Sequence, residues 1–163
     1  MSVAEAAVAW SAFEQADTDL ARRVQARLES HRHAVLATLR ADGAPRLSGM
    51  EAPVRSGHLW LGMTPGSAKA ADLGRDPRFS LHSAPDSEDL LEGDARVDGL
   101  VRPTDAAEEA EFVAGHRYPI EDPSIMVLYV ALITRVVLVR VSDDSLMIES
   151  WTPDGGRCTA RQS

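Results

Sequence analysis

The chain has very little cysteine and no long apolar run, and both shortages narrow its class. Cys158 is the only cysteine among 163 residues, so an internal disulfide is impossible. No charge-free apolar stretch reaches transmembrane length, and the first ten residues contain Glu5 but no basic start, unlike a signal peptide. We therefore expect a cytoplasmic protein that does not interact with a membrane.

Positive charge is also scarce. The formal net charge is −8 and the isoelectric point is about 5.0, so the long-range field repels nucleic acids and anionic lipid surfaces. We expect no nucleic-acid partner. An anionic ligand must instead be held by a few cationic groups placed at one site.

Motifs for metal binding and for serine hydrolysis are missing. The histidines are scattered without the spacing of a metal site, and no Gly-x-Ser-x-Gly sequence is present. Acidic pairs such as Glu108-Glu109 fall in segments that we expect to be exposed. The sequence thus predicts neither a metal centre nor a catalytic triad.

The only lysine, Lys69, stands in a suggestive position. It belongs to Gly66-Ser67-Ala68-Lys69, which separates an apolar run ending at Met63 from a helix-like stretch. Unpaired backbone N–H groups at a helix start attract anions, and a serine hydroxyl and an ammonium can add hydrogen bonds. This pattern favours a phosphate site, although Ser67 as a simple helix cap beside a solvated Lys69 is the alternative.

The remaining pattern predicts a single domain that is mainly β with peripheral helices, folded as an antiparallel barrel. We expect a helical N-terminal extension over residues 1–31, with one helix at 3–16 and a second helix capped by Asp17. A mobile C-terminal tail is expected over 153–163. The first three strands are expected to form an antiparallel meander, with later helices at 67–73 and 106–114 and a possible bulge at Gly99. The predicted strands cover 34–39, 45–50, 58–63, 78–82, 95–102, 126–141 and 146–151. The segment 126–141 is expected to be either one long bent strand or two strands broken at Thr134-Arg135.

The order of these features resembles the FMN-binding split barrel of the pyridoxamine 5′-phosphate oxidase-like superfamily, which also contains F420-dependent reductases. The most specific part runs from Leu61 to Leu81 and is similar to that family's strand, Ser-x-Lys phosphate loop, short helix and Asp-Pro-Arg strand start. The hairpin over 37–45 and the closing segment 135–141, followed by Trp151, are also similar. The resemblance covers about Val35 to Trp151.

The resemblance implies a homodimer with two FMN sites at the subunit interface. Ser67 and Lys69 would bind the flavin phosphate, with help from the second strand. Met63 and Thr64 would line the ring, and Trp151 of the other subunit would approach it. The implied cofactor-binding residues are Arg46, Leu47, Ser48, Met63, Thr64, Ser67, Lys69 and Trp151. The flavin would carry the redox chemistry on an unidentified small organic substrate.

Two alternatives stay open. An F420-dependent reductase would need more basic residues for a longer acidic tail, which Arg22, Arg23 and Arg27 could supply unless that helix face is simply solvated. A non-catalytic flavin or haem binder, acting as a sensor, is the other. Vitamin B6 oxidation itself is not expected, because residues 151–158 are an imperfect counterpart of the arginine-containing end of the true oxidases.

Overall fold

The computed structural model describes residues 6–85 and 90–162, which form one nine-stranded sheet with helices packed against it. The helices are α1 (Trp10–Ala16), α2 (Thr18–Leu28), α3 (Ala68–Arg75) and α4 (Ala106–Ala114), with a short 3-10 helix at Pro123–Ile125. The strands are β1 (Ala34–Leu39), β2 (Pro45–Met50), β3 (Val54–Arg55), β4 (His58–Met63), β5 (Arg78–His82), β6 (Asp94–Pro103), β7 (Val127–Ser142), β8 (Ser145–Thr152) and β9 (Gly156–Gln162).

The sheet curls into a barrel that stays open along one line. Its strand order is β2-β1-β5-β6-β7-β4-β3, and every pairing is antiparallel. β2 and β4 are separated by four strands in this order, yet they approach each other in space. Within the described ranges no ladder joins them, so the gap between β2 and β4, here called the seam, is where the barrel is split.

The expected meander of the first three strands is therefore wrong. β1 and β2 form the predicted hairpin, but β4 pairs with β7, from Trp60 opposite Val130 to Met63 opposite Val127. The short β3, which was not predicted, forms the hairpin with β4 instead. Turn residues indicate where the chain reverses direction. They do not indicate the partner of β4, because β4 pairs with a strand that is distant in the sequence.

Both chain ends differ from the expectation. The helix expected over 3–16 begins only at Trp10, and its residues 3–5 lie outside the described residues. Among the residues before α1, Val8 bridges to Ile133 with N–O distances of 3.0 and 2.7 Å. The expected mobile tail is wrong for residues 156–162, because they form β9 and pair with β8 along its length.

The main core fills the barrel and the space under α1 and α2. Phe13 contacts Trp10 and Trp151 at ring distances of 5.4 and 4.7 Å. A second cluster holds α4 against the outer side of β4 and β7, where Trp60 meets Phe112 at 5.3 Å. α4 is thereby fixed beside the seam.

Candidate functional site

A cleft of about 350 Å³ opens at the seam. One wall comes from the end of β2 and the residues after it, and the other from the end of β4 and the start of α3. The segment from α4 to β7 forms a third side. The cleft is lined by Arg32, His33, Gly49, Met50, Glu51, Pro53, Gly62, Met63, Thr64, Lys69, Phe112, His116, Tyr118 and Met126.

The loop before α3 brings the only lysine into this cleft. Gly66 has φ of +74°, a conformation that glycine adopts without steric cost, and it turns the chain into the helix. Ser67 caps the helix by accepting a hydrogen bond from the Ala70 amide at 3.4 Å, which leaves its own O–H able to donate. Lys69 is half-buried and forms no ion pair or hydrogen bond with any residue that the structure describes.

A buried carboxylate fixes the helix that carries this loop. Asp72 accepts hydrogen bonds from Thr38 at 2.9 Å, from Arg46 at 2.7 Å and from Arg75 at 3.1 Å. These donors, with Arg46 first, lower the pKa of Asp72 to about 2. Because Thr38 and Arg46 lie on β1 and β2, this network ties α3 to the first hairpin and sets the position of Lys69.

The third side of the cleft is aromatic and sulfur-rich. Met126 packs over Gly62, where a Cβ atom would lie 2.8 Å from the Met126 sulfur. Arg55 holds the end of α4 by donating to the carbonyl oxygens of Gly115 and Phe112, the latter at 3.0 Å. A planar ligand entering the cleft would therefore meet an apolar surface opposite the strand ends.

One histidine in the cleft has a defined environment. His116 Nδ1 lies 2.8 Å from the Tyr118 carbonyl oxygen and 3.3 Å from the Tyr118 amide nitrogen. When Nδ1 carries the hydrogen it donates to that carbonyl, and Nε2 is then left as an electron-pair donor. His33 lines the same cleft.

The sequence-predicted residues divide into two groups. Met63, Thr64 and Lys69 line the cleft, and Ser67 starts the helix beside it. The three β2 residues do not line it: Arg46 is held by Asp72, Leu47 is 70% exposed, and Ser48 follows Leu47 on the strand. A role for Arg46, Leu47 and Ser48 in cofactor binding stays a prediction.

Trp151 lies elsewhere. Its side chain is 4% exposed and packs on Phe13 in the core of its own chain, because α1 covers β8 at this point. The described chain leaves this ring little surface for a ligand, and the approach of Trp151 to the cofactor of another subunit stays a prediction.

The arginines of α2 also do not reach the cleft. Arg22, Arg23 and Arg27 line a separate surface pocket. Arg22 and Arg23 pair with Asp19, and Arg23 also pairs with Glu149 at 2.5 Å. The helix whose arginines could have served an F420 tail therefore faces another part of the surface.

Sequence reasoning missed most of the cleft's third side. These missed lining residues come from two places, the link after α2 and the part of the chain from α4 to β7: Arg32, His33, Phe112, His116, Tyr118 and Met126. An aromatic and histidine group at 112–118 was a visible signal, but nothing local says that it meets β4. Among the described residues no group of three His, Cys, Asp or Glu side chains is arranged to hold a metal ion. No helix in the described ranges is both long and apolar enough to span a bilayer.

Comparison with known proteins gives a family match over most of the chain. Residues 20–139 match the family model described as "Pyridoxamine 5'-phosphate oxidase". No curated protein matches the chain.

Three solved structures show the same architecture. A heme binding protein from Mycobacterium smegmatis is 25% identical, with a TM-score of 0.66 over 88% of this chain and 58% of that one. The chain therefore spans little more than half the length of that protein. PhzG from Burkholderia lata 383, in complex with tetrahydrophenazine-1-carboxylic acid, is 14% identical, with a TM-score of 0.68 over 93% and 92%. An F420 reductase is 21% identical, with a TM-score of 0.51 over 69% and 94%. At such identity the last two show the split-barrel fold alone.

Proposed function

We propose that this chain, which belongs to the pyridoxamine 5′-phosphate oxidase family, binds FMN in the seam cleft and acts as a flavin-dependent oxidoreductase on a small organic molecule. The observation that carries the proposal is the unpaired Lys69 beside the capped start of α3, at one end of a cleft with apolar walls. The site fits a phosphate joined to a planar ring.

The chain's own residues would do three things. Lys69, the Ser67 hydroxyl and the first amides of α3 would hold the phosphate, at about 1.5–3 kcal/mol for the charged contact. Met63, Met126 and Phe112 would enclose the ring and exclude water. Asp72 would keep α3 in place through Arg46 and Thr38. FMN, when bound, supplies the hydride or electron transfer, so no side chain need be the redox centre.

The site would be repeated in a homodimer. β2 is an edge strand, and its outward face carries Leu47 opposite Ala37 and Pro45 opposite Leu39. Leu47 is 70% exposed, a large apolar side chain at the rim of a sheet. A second copy covering this face would remove it from water and place a partner near the seam.

F420 is the alternative cofactor, since it also joins a phosphate to a tricyclic ring. Lys69 and the cleft walls do not distinguish the two cofactors. The arginines of α2 line another pocket and supply no contact to an F420 tail, and FMN needs only the phosphate contacts around Lys69.

Haem is a second candidate ligand, favoured by two histidines in the cleft. The Mycobacterium smegmatis protein of similar fold is titled a heme binding protein. His116 has the geometry of a haem-iron ligand, because a ligating imidazole usually donates its other N–H to an oxygen such as the Tyr118 carbonyl. This function would need no substrate or turnover.

The absorption spectrum of the purified protein, with mass spectrometry of the molecule released on denaturation, tests these candidates together. Released FMN, followed by nicotinamide-driven turnover, supports the proposal. F420 or haem would redirect it to the corresponding alternative. A colourless protein that binds none of the three on titration would overturn it.

A further inference from the structure

A second groove lies beside the seam cleft. This side groove, of about 370 Å³, is lined by Leu28, Glu29, Ser30, His31, Arg32, Glu51, Ala52, Pro53 and Arg117. Arg32, Glu51 and Pro53 line both spaces. The two spaces therefore adjoin at these three residues.

An ion pair marks the junction. Arg32 Nε donates to Glu51 Oε1 at 2.6 Å, and the two side chains are 72% and 49% exposed. This bond uses one of the five N–H groups of the guanidinium, and no described residue accepts a hydrogen bond from the other four. The Glu51 carboxylate raises the pKa of Arg32, with a smaller contribution from Tyr118. Arg32 can thus bind a second anion without leaving Glu51.

Arg117 adds an open guanidinium on the other side of the groove. The Arg117 Cζ atom lies 5.7 Å from the centroid of the Tyr118 ring. No carboxylate among the described residues pairs with Arg117. The Tyr118 side chain is 57% exposed and lines the cleft. Arg117 therefore lies in the side groove, beside a residue of the cleft wall.

The carboxylates that face the side groove do not neutralise both arginines. Glu51 is shared with Arg32 as described. Glu29 Oε1 accepts from the Val54 amide and from Gln25 Nε2, each at 3.2 Å, which directs it toward α2 and β3. The two arginines therefore place positive charge and free N–H donors in the side groove of a protein whose net charge is −8.

We propose that the side groove binds a carboxylate group of the ligand that occupies the cleft, through Arg32 and Arg117. The inference rests on the proposed function, since it concerns the same cleft. A planar guanidinium matches a carboxylate in a bidentate manner, and two of them select an anionic group over its neutral amide. The carboxylate has two possible sources, an acidic tail on the cofactor or an acidic substrate.

Binding measurements on Arg32→Gln and Arg117→Gln test the proposal. Arg135→Gln is the matched control, because Arg135 is an exposed arginine on β7 that lines neither space. FMN titration of Arg117→Gln and Arg135→Gln comes first, and unchanged FMN affinity shows that the folded cleft is intact. Arg32 also lines the cleft, so the fold of Arg32→Gln is checked by its circular dichroism spectrum and thermal midpoint.

Two ligand pairs distinguish the sources. F420 is compared with the same deazaflavin after enzymatic removal of its tail glutamates, and benzoate is compared with benzamide on the FMN-loaded protein. If the tail is the source, both groove variants weaken intact F420 roughly 10- to 100-fold and affect the shortened form less. If the substrate is the source, benzoate binds more tightly than benzamide, and the variants remove the difference.

The proposal is overturned if neither acid is preferred over its matched partner, or if Arg135→Gln weakens binding as much as the groove variants. Failure of the proposed function would look different. In that case the wild-type protein would not bind FMN or the deazaflavin at all, whereas benzoate and benzamide could still be compared on the unloaded protein.

Discussion

At the residue scale, the position of Lys69 depends on Asp72, a neighbouring carboxylate that does not line the cleft. Asp72 is almost fully buried and gathers three donors from β1, β2 and α3. Arg46, which the resemblance assigns to the cofactor, donates a hydrogen bond to Asp72 and helps to hold α3. A residue can thus serve a binding site through position without lining the cleft.

The Asp72 network predicts a pH-dependent stability difference. The pKa of Asp72 is about 2 in the folded chain, below its ordinary value, so its stabilising effect is present above about pH 4 and is lost as the pH falls toward 2. Asp72→Asn should therefore lower the denaturation midpoint at pH 6, and the gap from wild type should close on acidification. Asp154→Asn, at an exposed turn, should leave the denaturation midpoint equal to that of wild type at both pH 6 and pH 3. Equal gaps at pH 6 and pH 3 would contradict the assignment.

At the element scale, β9 shows that a polar segment near the end of the chain can form a fully paired strand. Gly156–Gln162 is polar and mostly exposed, which is typical of a mobile tail, yet it pairs with β8 from Leu146 to Thr152. Arg157 on this strand contacts Asp17, Asp19 and Glu149, and it thereby joins the sheet to the start of α2. Its hydrogen bond lowers the pKa of Asp17.

Removing residues 156–163 should therefore destabilise the protein. Each lost cross-strand pair or ion pair contributes about 0.2–1 kcal/mol. The deletion should therefore lower the free energy of unfolding by about 1–3 kcal/mol and the thermal midpoint by roughly 3–10 °C. Thermal denaturation followed by circular dichroism measures this. A shorter deletion of residue 163 alone is the control. An unchanged midpoint in the long deletion would return this segment to the status of a tail.

Local patterns predicted the elements better than their partners. β1, β2, β4 and β5 begin and end where alternation and turn residues place them. The bulge at Gly99 was also recognised, and the β6–β7 register shifts between Asp98 and Gly99. A Cβ at Gly99 would lie 2.0 Å from the Leu132 carbonyl oxygen, so a local signal here reflects a close approach of two backbones.

At the scale of the whole molecule, the site is formed by contacts distant in sequence. Lys69, Met63 and Thr64 could be predicted because they occur in one continuous motif. His116 and Tyr118 could not, since their segment is brought to the seam by distant contacts, namely the packing of Phe112 against Trp60 and the hydrogen bonds of Arg55 to the end of α4. The core position of Trp151 likewise depends on α1, whose contact with β8 leaves no local pattern.

The proposed dimer gives a further prediction at this scale. Leu47→Glu should place a charge in the middle of the apolar β2 face and disrupt association. Size-exclusion chromatography with light scattering should show twice the 17.6 kDa chain mass for wild type and a shift toward one chain for the variant. Ile125→Glu, at another exposed apolar residue, should leave the mass unchanged. A monomeric wild-type protein would refute the dimer.

The central claim is that the seam cleft binds a phosphate-bearing planar cofactor through Lys69. The most direct test is to titrate wild type, Lys69→Ala and the control Arg135→Ala with FMN and with riboflavin, which lacks the phosphate. We predict that Lys69→Ala weakens FMN binding by about 1.5–3 kcal/mol and leaves riboflavin binding unchanged, with no effect of Arg135→Ala. Equal FMN affinity in wild type and Lys69→Ala would contradict the claim and leave Lys69 a solvated side chain at the start of α3.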